Sequence, residues 1–429
     1  MLKINPLSTL YVGIDVSSKS NYVCALDFYK NKYINSSFAN NQPGAEELAL
    51  KILECLKEHP DITTIVAALE STSVYSIHIA NYLSSCEELM RFKPYVFVLN
   101  PKCTANYKKS YIGLGKSDPI DAFVIADYAR AGNIESEPWR GSQFLALKRL
   151  TRHRLHLVEC MTREKTYLVS NLYLKFSELQ MLEGDDQPFC DIYGATSSSV
   201  LMEYFSPEEI LDSSEEDLIA FLAKKNRIKD ISKTADLLKK AARDSYRLDK
   251  ALYEPLNVSI ASSFNCIETF KREIKVIDNA IEKEIKGLNP NAFIILQSID
   301  GIGPVFAGGI IAEIGDITAF HSSDALAKYA GLTWKSNQSG DFDGEDTPMI
   351  KAGNRYLRYY LGEAANSMRK HNVEYGTYYR KKYNEVPKHQ HKRALALTSR
   401  KFVRLVYGLL ARNQLYSGVS LDTSIKDSN

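Results

Sequence analysis

Leu10–Val16 (LYVGIDV) reads as an apolar strand ending on an acid, and the chain then starts a second strand instead of a helix. That succession constrains the fold more than any other feature. A doubly wound nucleotide-binding sheet needs a helix directly after its first strand, whereas Asn21–Phe28 reads as extended, with Lys32–Phe38 a third strand after a turn at Tyr29–Asn31. Beyond these, helix and strand signals alternate. Gly44–His59 is an amphipathic helix, Thr64–Leu69 (TIVAAL) a buried strand and Val74–Ser84 a helix. Tyr95–Leu99 is a strand closed by Asn100-Pro101, and Ser117–Arg130 is a helix whose Pro119 sits in the first turn, where no amide is needed.

Three hairpin-type strands followed by strand–helix alternation is the order of an RNase H-like sheet. The expected class is therefore α/β, with residues 8–141 forming an RNase H/RuvC-like domain. From Ser142 the character changes. Leu145, Leu147, Leu150, Leu155, Leu157, Val158 and Met161 recur at helical spacing, and Ile267, Phe270, Ile274, Ile277, Ile281 and Ile285 form one stripe. Residues 142–288 thus predict a helical coiled-coil arm, with a plain helical bundle equally compatible, and Glu183–Ser199 reads as a loop. After Asn289-Pro290 a third, mainly α unit spans 289–415. Its opening Ile299-Asp300-Gly301-Ile302-Gly303-Pro304 has a helix–hairpin–helix pattern, whose glycine amides can approach a phosphate or simply allow two helices to pack. A helical tail runs from Lys351 to Asn413, and 416–429 is a polar tail.

The net charge of +2 hides an uneven distribution. Between Lys351 and Arg412 stand 15 lysines and arginines against only Glu363, Glu374 and Glu385, a net of +12. Such a concentration suggests a polyanionic partner, with Tyr356, Tyr359, Tyr360, Tyr378, Tyr379 and Tyr383 available to stack on bases or sugars; solvated helix faces are the simpler alternative. The 7 cysteines are scattered, with no C-x-x-C pair, which points away from a disulfide framework or zinc site and fits a reducing cytoplasm. No apolar run approaches the roughly 18 residues of a membrane span, and no signal-peptide pattern opens the chain, so no membrane partner is expected.

The chemistry is carried by acids. Asp15 and Glu70 each end an apolar strand, and if those strands are neighbours both carboxylates emerge at one sheet edge. Asp118 and Asp121, at i and i+3, share a helix face. Four converging carboxylates repel one another unless hard divalent cations neutralise them. Mg²⁺ is the expected occupant, and two ions about 3.5–4 Å apart would suit in-line phosphoryl displacement. Each acid also has a plain structural reading. Asp118 and Asp121 would suit the positive end of a helix capped by Ser117, and Glu70 could pair with a lysine. The four together, in the order strand-Asp, strand-Glu, helix-Asp-x-x-Asp, favour the metal site.

Three N-terminal blocks (Tyr11-Val12-Gly13-Ile14-Asp15-Val16-Ser17, Ala68-Leu69-Glu70-Ser71-Thr72 and Gly115-Lys116-Ser117-Asp118-Pro119-Ile120-Asp121-Ala122) resemble the DEDD transposases of the IS110/IS1111 family. So do Ile299–Pro304, Tyr329–Thr333, Gln338-Ser339-Gly340 and Lys351–Arg358. The resemblance implies a RuvC-like domain holding Asp15, Glu70, Asp118 and Asp121, a coiled-coil arm, and a C-terminal transposase domain with Ser339 as nucleophile. Ser336 is its nearby competitor, and the acids Asp341, Asp343, Glu345 and Asp346 just beyond are unexpected beside a group aimed at DNA. It further implies donor and target DNA as substrates, a bridge RNA as guide, and a homodimer or homotetramer in which the two sites meet across subunits. A serine hydroxyl is a poor nucleophile unless activated, and no Ser-His-Asp pattern surrounds Ser339. Two other functions stay open at this level: a Holliday-junction endonuclease using water, and a non-catalytic RNA/DNA-binding scaffold.

Overall fold

The computed structural model describes residues 4–71, 74–134, 138–224, 228, 230–334, 338–339, 342–343 and 349–418. The chain divides into two compact units, one of residues 1–146, 314–329 and 400–414, the other of 147–313, 330–399 and 415–429.

In the first unit, β1 (Thr9–Val16), β2 (Ser20–Leu26) and β3 (Lys32–Ala39) form an antiparallel meander that leads into α1 (Gln42–Glu58). β4 (Thr64–Glu70) then joins parallel to β1 on its free side. After α2 (Ser76–Ser85) and α3 (Glu87–Met90), β5 (Tyr95–Leu99) joins parallel to β4, giving the order β3-β2-β1-β4-β5. This is the α/β, RNase H-like sheet expected from the strand succession.

The two-residue period of β1 divides its side chains between two cores. Leu10, Val12, Ile14 and Val16 pack with Leu48 and Ile52 of α1, Ile79 and Leu83 of α2 and Leu89 of α3. On the opposite face Tyr11 joins Val66, Ala68, Phe97 and Leu99 beneath Ala122, Ile125, Ala126 and Ala129 of α5 (Asp118–Arg130), which follows α4 (Pro101–Lys108). α5 approaches the sheet closely because Gly13 has no side chain: a Cβ there would stand 2.2 Å from the Ala122 carbonyl oxygen and 2.3 Å from the Ala126 nitrogen.

α4 is absent from the sequence-based expectation, which took Asn100-Pro101 only as the end of β5. Those residues also begin a helix: Asn100 Oδ1 caps the Lys102 amide at 3.0 Å, and Pro101 takes the first helical position. Asp127 of α5, fully buried, anchors the far end of α4. It accepts from the hydroxyls of Tyr107 (2.9 Å) and Tyr111, from Arg130 Nε at 2.6 Å and from Lys30 Nζ at 3.3 Å. Burial works to raise the Asp127 pKa, but the bonds from Tyr111, Arg130 and Tyr107 outweigh it and hold the carboxyl below its usual range. Asp127→Ala should cost about 3 kcal/mol, since it strands a guanidinium and two hydroxyls around an emptied site. A denaturant titration checks this, and a loss under about 1 kcal/mol would show the hub to be dispensable.

The second unit is built on two long helices, α6 (Ser142–Lys175) and, after four short ones, α11 (Lys250–Leu288). They run antiparallel, as the Arg154–Asp278 ion pair and the Lys175–Asn257 hydrogen bond show. Ile260, Ile267, Ile274 and Ile281 are all buried at seven-residue spacing, a coiled-coil seam. The short helices α7 (Ala195–Glu203), α8 (Pro207–Asp212), α9 (Glu215–Ala223) and α10 (Ile231–Asp244) gather at one end around a core of Leu168, Leu172, Val200, Leu238 and Phe264. The loop expected over Glu183–Ser199 is therefore too long. Its serines read as loop-forming, but Ser197 is buried and Ser198 and Ser199 return their hydroxyls to the Ala195 carbonyl, compatible with the first turn of α7.

After α12 (Pro290–Gln297) the turn to α13 (Pro304–Ile314) places Gly301 at φ +85°, where glycine alone is unstrained. Its carbonyl accepts from Ser367 Oγ at 2.7 Å. Next come α14 (Ser323–Ala330) and four two-residue strands, β6 (Thr333–Trp334), β7 (Gln338–Ser339), β8 (Phe342–Asp343) and β9 (Met349–Ile350). β6 pairs with β9 and β7 with β8. The helical tail is three helices: α15 (Arg355–His371), α16 (Val373–Asn384) and α17 (Gln390–Arg412).

Candidate active site

The sheet register decides where the acids go. Ile14 lies opposite Leu69 on the parallel strand, so the next residues along, Asp15 and Glu70, leave neighbouring strands at the same end. By alternation they share the α5 face with Tyr11, Gly13, Val66 and Ala68. α5 fixes the rest. Ala122 and Ala126 lie against Gly13, so the preceding turn carries Asp118 and Asp121 toward the strand ends. Ser117 occupies the N-cap position of α5 without a side-chain cap bond, and Asp118 and Asp121 both fall in its first turn.

Asp15 feels the other three acids. Asp15 is pushed up to about 6, first by burial and then by the like charges of Asp121, Glu70 and Asp118; Lys108 opposes the rise. An all-oxygen, mutually repelling set of this kind suits a hard divalent cation. As placed, however, no three such side chains among the described residues are gathered closely enough to hold one. Two of the acids have partners on α4 instead. Thr104 Oγ1 hydrogen-bonds Glu70 Oε1, and Lys108 Nζ pairs with Asp121 Oδ1. Glu70 therefore meets a threonine where a lysine was considered. Sequence reasoning missed Thr104 and Lys108, although Asn100-Pro101 as a helix start would have put both on one face of the following turns.

Ser339 stands in β7 with its backbone paired opposite Phe342 of β8. Ser336, Asp341, Glu345 and Asp346 lie outside the described residues. The β6–β9 pair is held by α15. Arg358 Nη1 donates to the carbonyls of Ala330 and Lys351, 3.0 Å each, just outside the paired β6 and β9. α15 is set in turn by Asn354, whose Oδ1 caps the Tyr356 and Leu357 amides. The Asn354 Nδ2 donates to buried Glu313, which also accepts two bonds from Arg152 at 2.8 and 2.9 Å.

The basic stretch 351–412 is partly spent on the fold. Arg355 pairs with Glu159, Lys382 and Arg393 share Glu385, Arg400 pairs with Asp324, and Arg369 lies over the Tyr379 ring at 4.3 Å. Tyr360 and Tyr379 are not base-stacking candidates: both are buried, and the Tyr360 hydroxyl donates to the Thr151 carbonyl at 2.6 Å. The helical period that put tyrosines beside cations also turned these two inward. Among the described residues no helix is long and apolar enough to cross a membrane.

An RNase H-like sheet here brings acids from two adjacent strand ends toward the first turn of the covering helix, an arrangement suited to phosphoryl transfer. Residues 12–177 match the family model for DEDD transposases of the IS110 type, and residues 294–380 match that of the transposase IS116/IS110/IS902 family. The chain belongs to the IS110 family of transposases. It is similar to a 42 kDa protein of insertion element IS900 from Mycobacterium paratuberculosis, 24% identical over 411 residues, 95% of this chain and 97% of that one. A 44.8 kDa protein of insertion element IS116 from Streptomyces clavuligerus is 23% identical over 420 residues, 95% and 96% of the two chains. A pilin gene-inverting protein of Moraxella lacunata is 27% identical over 160 residues, 37% of this chain and 46% of that one. The protein is thus an enzyme that acts on DNA.

Proposed function

We propose that this transposase cuts and rejoins the ends of its own insertion element through a serine–DNA covalent intermediate. Asp15, Glu70, Asp118 and Asp121 form its metal-binding half, and Ser339 is its nucleophile. The observation that carries the reading is Asp15, which burial first and then the charges of Asp121, Glu70 and Asp118 push up to about 6, a repulsion that a bound cation would relieve. Mg²⁺, as two ions, would neutralise that charge and the charge developing on the phosphate. The Ser339 oxygen attacks the phosphorus and gives its proton to solvent or to a carboxylate, while the P–O bond to the leaving sugar breaks and that sugar oxygen takes up a proton from solvent to leave as a hydroxyl. Rejoining runs the same exchange backwards with a new sugar hydroxyl. Storing the bond energy in a phosphoserine suits an enzyme related to a gene-inverting protein, since inversion rejoins every strand it cuts.

A bridge RNA, pairing with donor and target DNA, would choose the sites and leave the protein to read shape and backbone. The cations of 351–412 and the long helices of 142–288 are the surfaces for it, and a homodimer or homotetramer would bring acids and serine together. The three-part division into 8–141, 142–288 and 289–415 describes those roles. The test is denaturing electrophoresis after reaction with DNA spanning an element end, with RNA transcribed from the element's flanks. Wild type should give a protein–DNA adduct that Ser339→Ala abolishes, while Asp15→Ala abolishes cleavage altogether. Full cleavage by Ser339→Ala would make the protein a junction endonuclease that uses water. No cleavage by wild type with RNA and Mg²⁺ supplied would leave a binding scaffold.

A further inference from the structure

α4 carries two side chains into the acidic site and is anchored elsewhere. Thr104 and Lys108 are four residues apart and so lie on one face, bonded to Glu70 and Asp121. Tyr107 and Tyr111 tie the same segment to buried Asp127. The Lys108–Asp121 pair is not a surface decoration, since the two side chains keep only 21% and 24% of their exposure. This lysine acts on Asp15 against its three acidic neighbours.

We propose that Lys108 is a further catalytic residue, which occupies Asp121 in the metal-free site and contacts the scissile phosphate once a divalent cation takes that carboxylate. The inference rests on the metal-site reading above. Two facts carry it. Thr104 Oγ1 occupies Glu70 Oε1 and Lys108 Nζ occupies Asp121 Oδ1, so an ion that takes the Asp121 oxygen displaces the Lys108 ammonium. Because Asp127 holds α4 in place, the freed ammonium stays within a side chain's reach of the same acids, where the DNA backbone must come. An ammonium is a compact point charge suited to a phosphate oxygen, and four carboxylates otherwise repel that oxygen.

The two roles move in opposite directions in one variant. Lys108→Met should bind Mn²⁺ about tenfold more tightly, measured by electron paramagnetic resonance on the full chain without DNA, because the competing cation is gone. The same variant should cleave an element end about a hundredfold more slowly at saturating Mn²⁺, because the phosphate loses its contact. Lys108→Arg should recover most of the cleavage. A thermal melt of each variant guards against unfolding, which would weaken both readouts together. Tighter Mn²⁺ binding with unchanged or faster cleavage would overturn the phosphate contact. Unchanged or weaker Mn²⁺ binding would overturn the competition. Asp15→Asn separates these failures from failure of the metal site itself: if it binds Mn²⁺ as wild type does, the acids are not the metal site.

Discussion

Gly13→Ala should destabilise the protein by about 3 kcal/mol and Gly13→Val by more. The new Cβ would meet backbone, with the Ala122 oxygen at 2.2 Å, the Ala126 nitrogen at 2.3 Å and the Ala126 Cα at 2.8 Å. No rotamer can relieve such a contact, so α5 must lift from the sheet and open the core of Tyr11, Val66, Phe97 and Ile125. The cause predicts a failed rescue. Ala122→Gly or Ala126→Gly added to Gly13→Ala should restore little, because the clashing atoms are not those methyls. Full rescue by either glycine, read from denaturant midpoints, would show that the contact is between side chains. Lifting α5 would also carry Asp118 and Asp121 away from Asp15. Any folded fraction of Gly13→Ala should therefore bind Mn²⁺ more weakly than wild type.

The same glycine shows how much of the molecule was legible in the sequence. The order of strands and the strand-end acids could be read because each depends on local pattern: alternation in β1, an unbroken apolar run in β4, and a proline near the start of α5. Parallel pairing of β1 with β4 then brought Asp15 and Glu70 together, a consequence of fold class more than of either residue. What could not be read depends on tertiary partners. Thr104 and Lys108 are ordinary polar residues of a short helix until Glu70 and Asp121 are seen opposite them. Asp127 looks like one more helix acid, and only packing shows it to be buried under two tyrosines. Tyr360 and Tyr379 were misjudged for the converse reason, because composition counts aromatic residues without saying which way the helix turns them. The four short strands around Ser339 were missed since two residues cannot display a period.

Asp15→Asn should lower strand cleavage by a thousandfold or more, on the order expected for losing a metal's main charge stabilisation, while making the metal-free protein more stable. The second effect follows from linkage. The carboxyl titrates near 6 in the folded chain against 3.8 for the unperturbed group, so between those values the folded state holds the proton that the unfolded state has released. Raising the pH through that window therefore removes stability, up to about 3 kcal/mol at the limit of 1.36 kcal/mol per unit and less for a half-buried group in contact with solvent. The amide of the variant has no charge to gain, so its metal-free stability should match that of wild type near pH 4 and exceed it above pH 7. Adding Mg²⁺ at pH 7.5 should reverse the order, because only wild type gains the ion's binding energy on its folded state. Melting curves of both proteins at the two pH values, with and without Mg²⁺, test the whole scheme. If wild type is the more stable protein at pH 7.5 without metal, burial and like charge do not hold the Asp15 carboxyl up, and the case for cations at this edge of the sheet loses its physical cause.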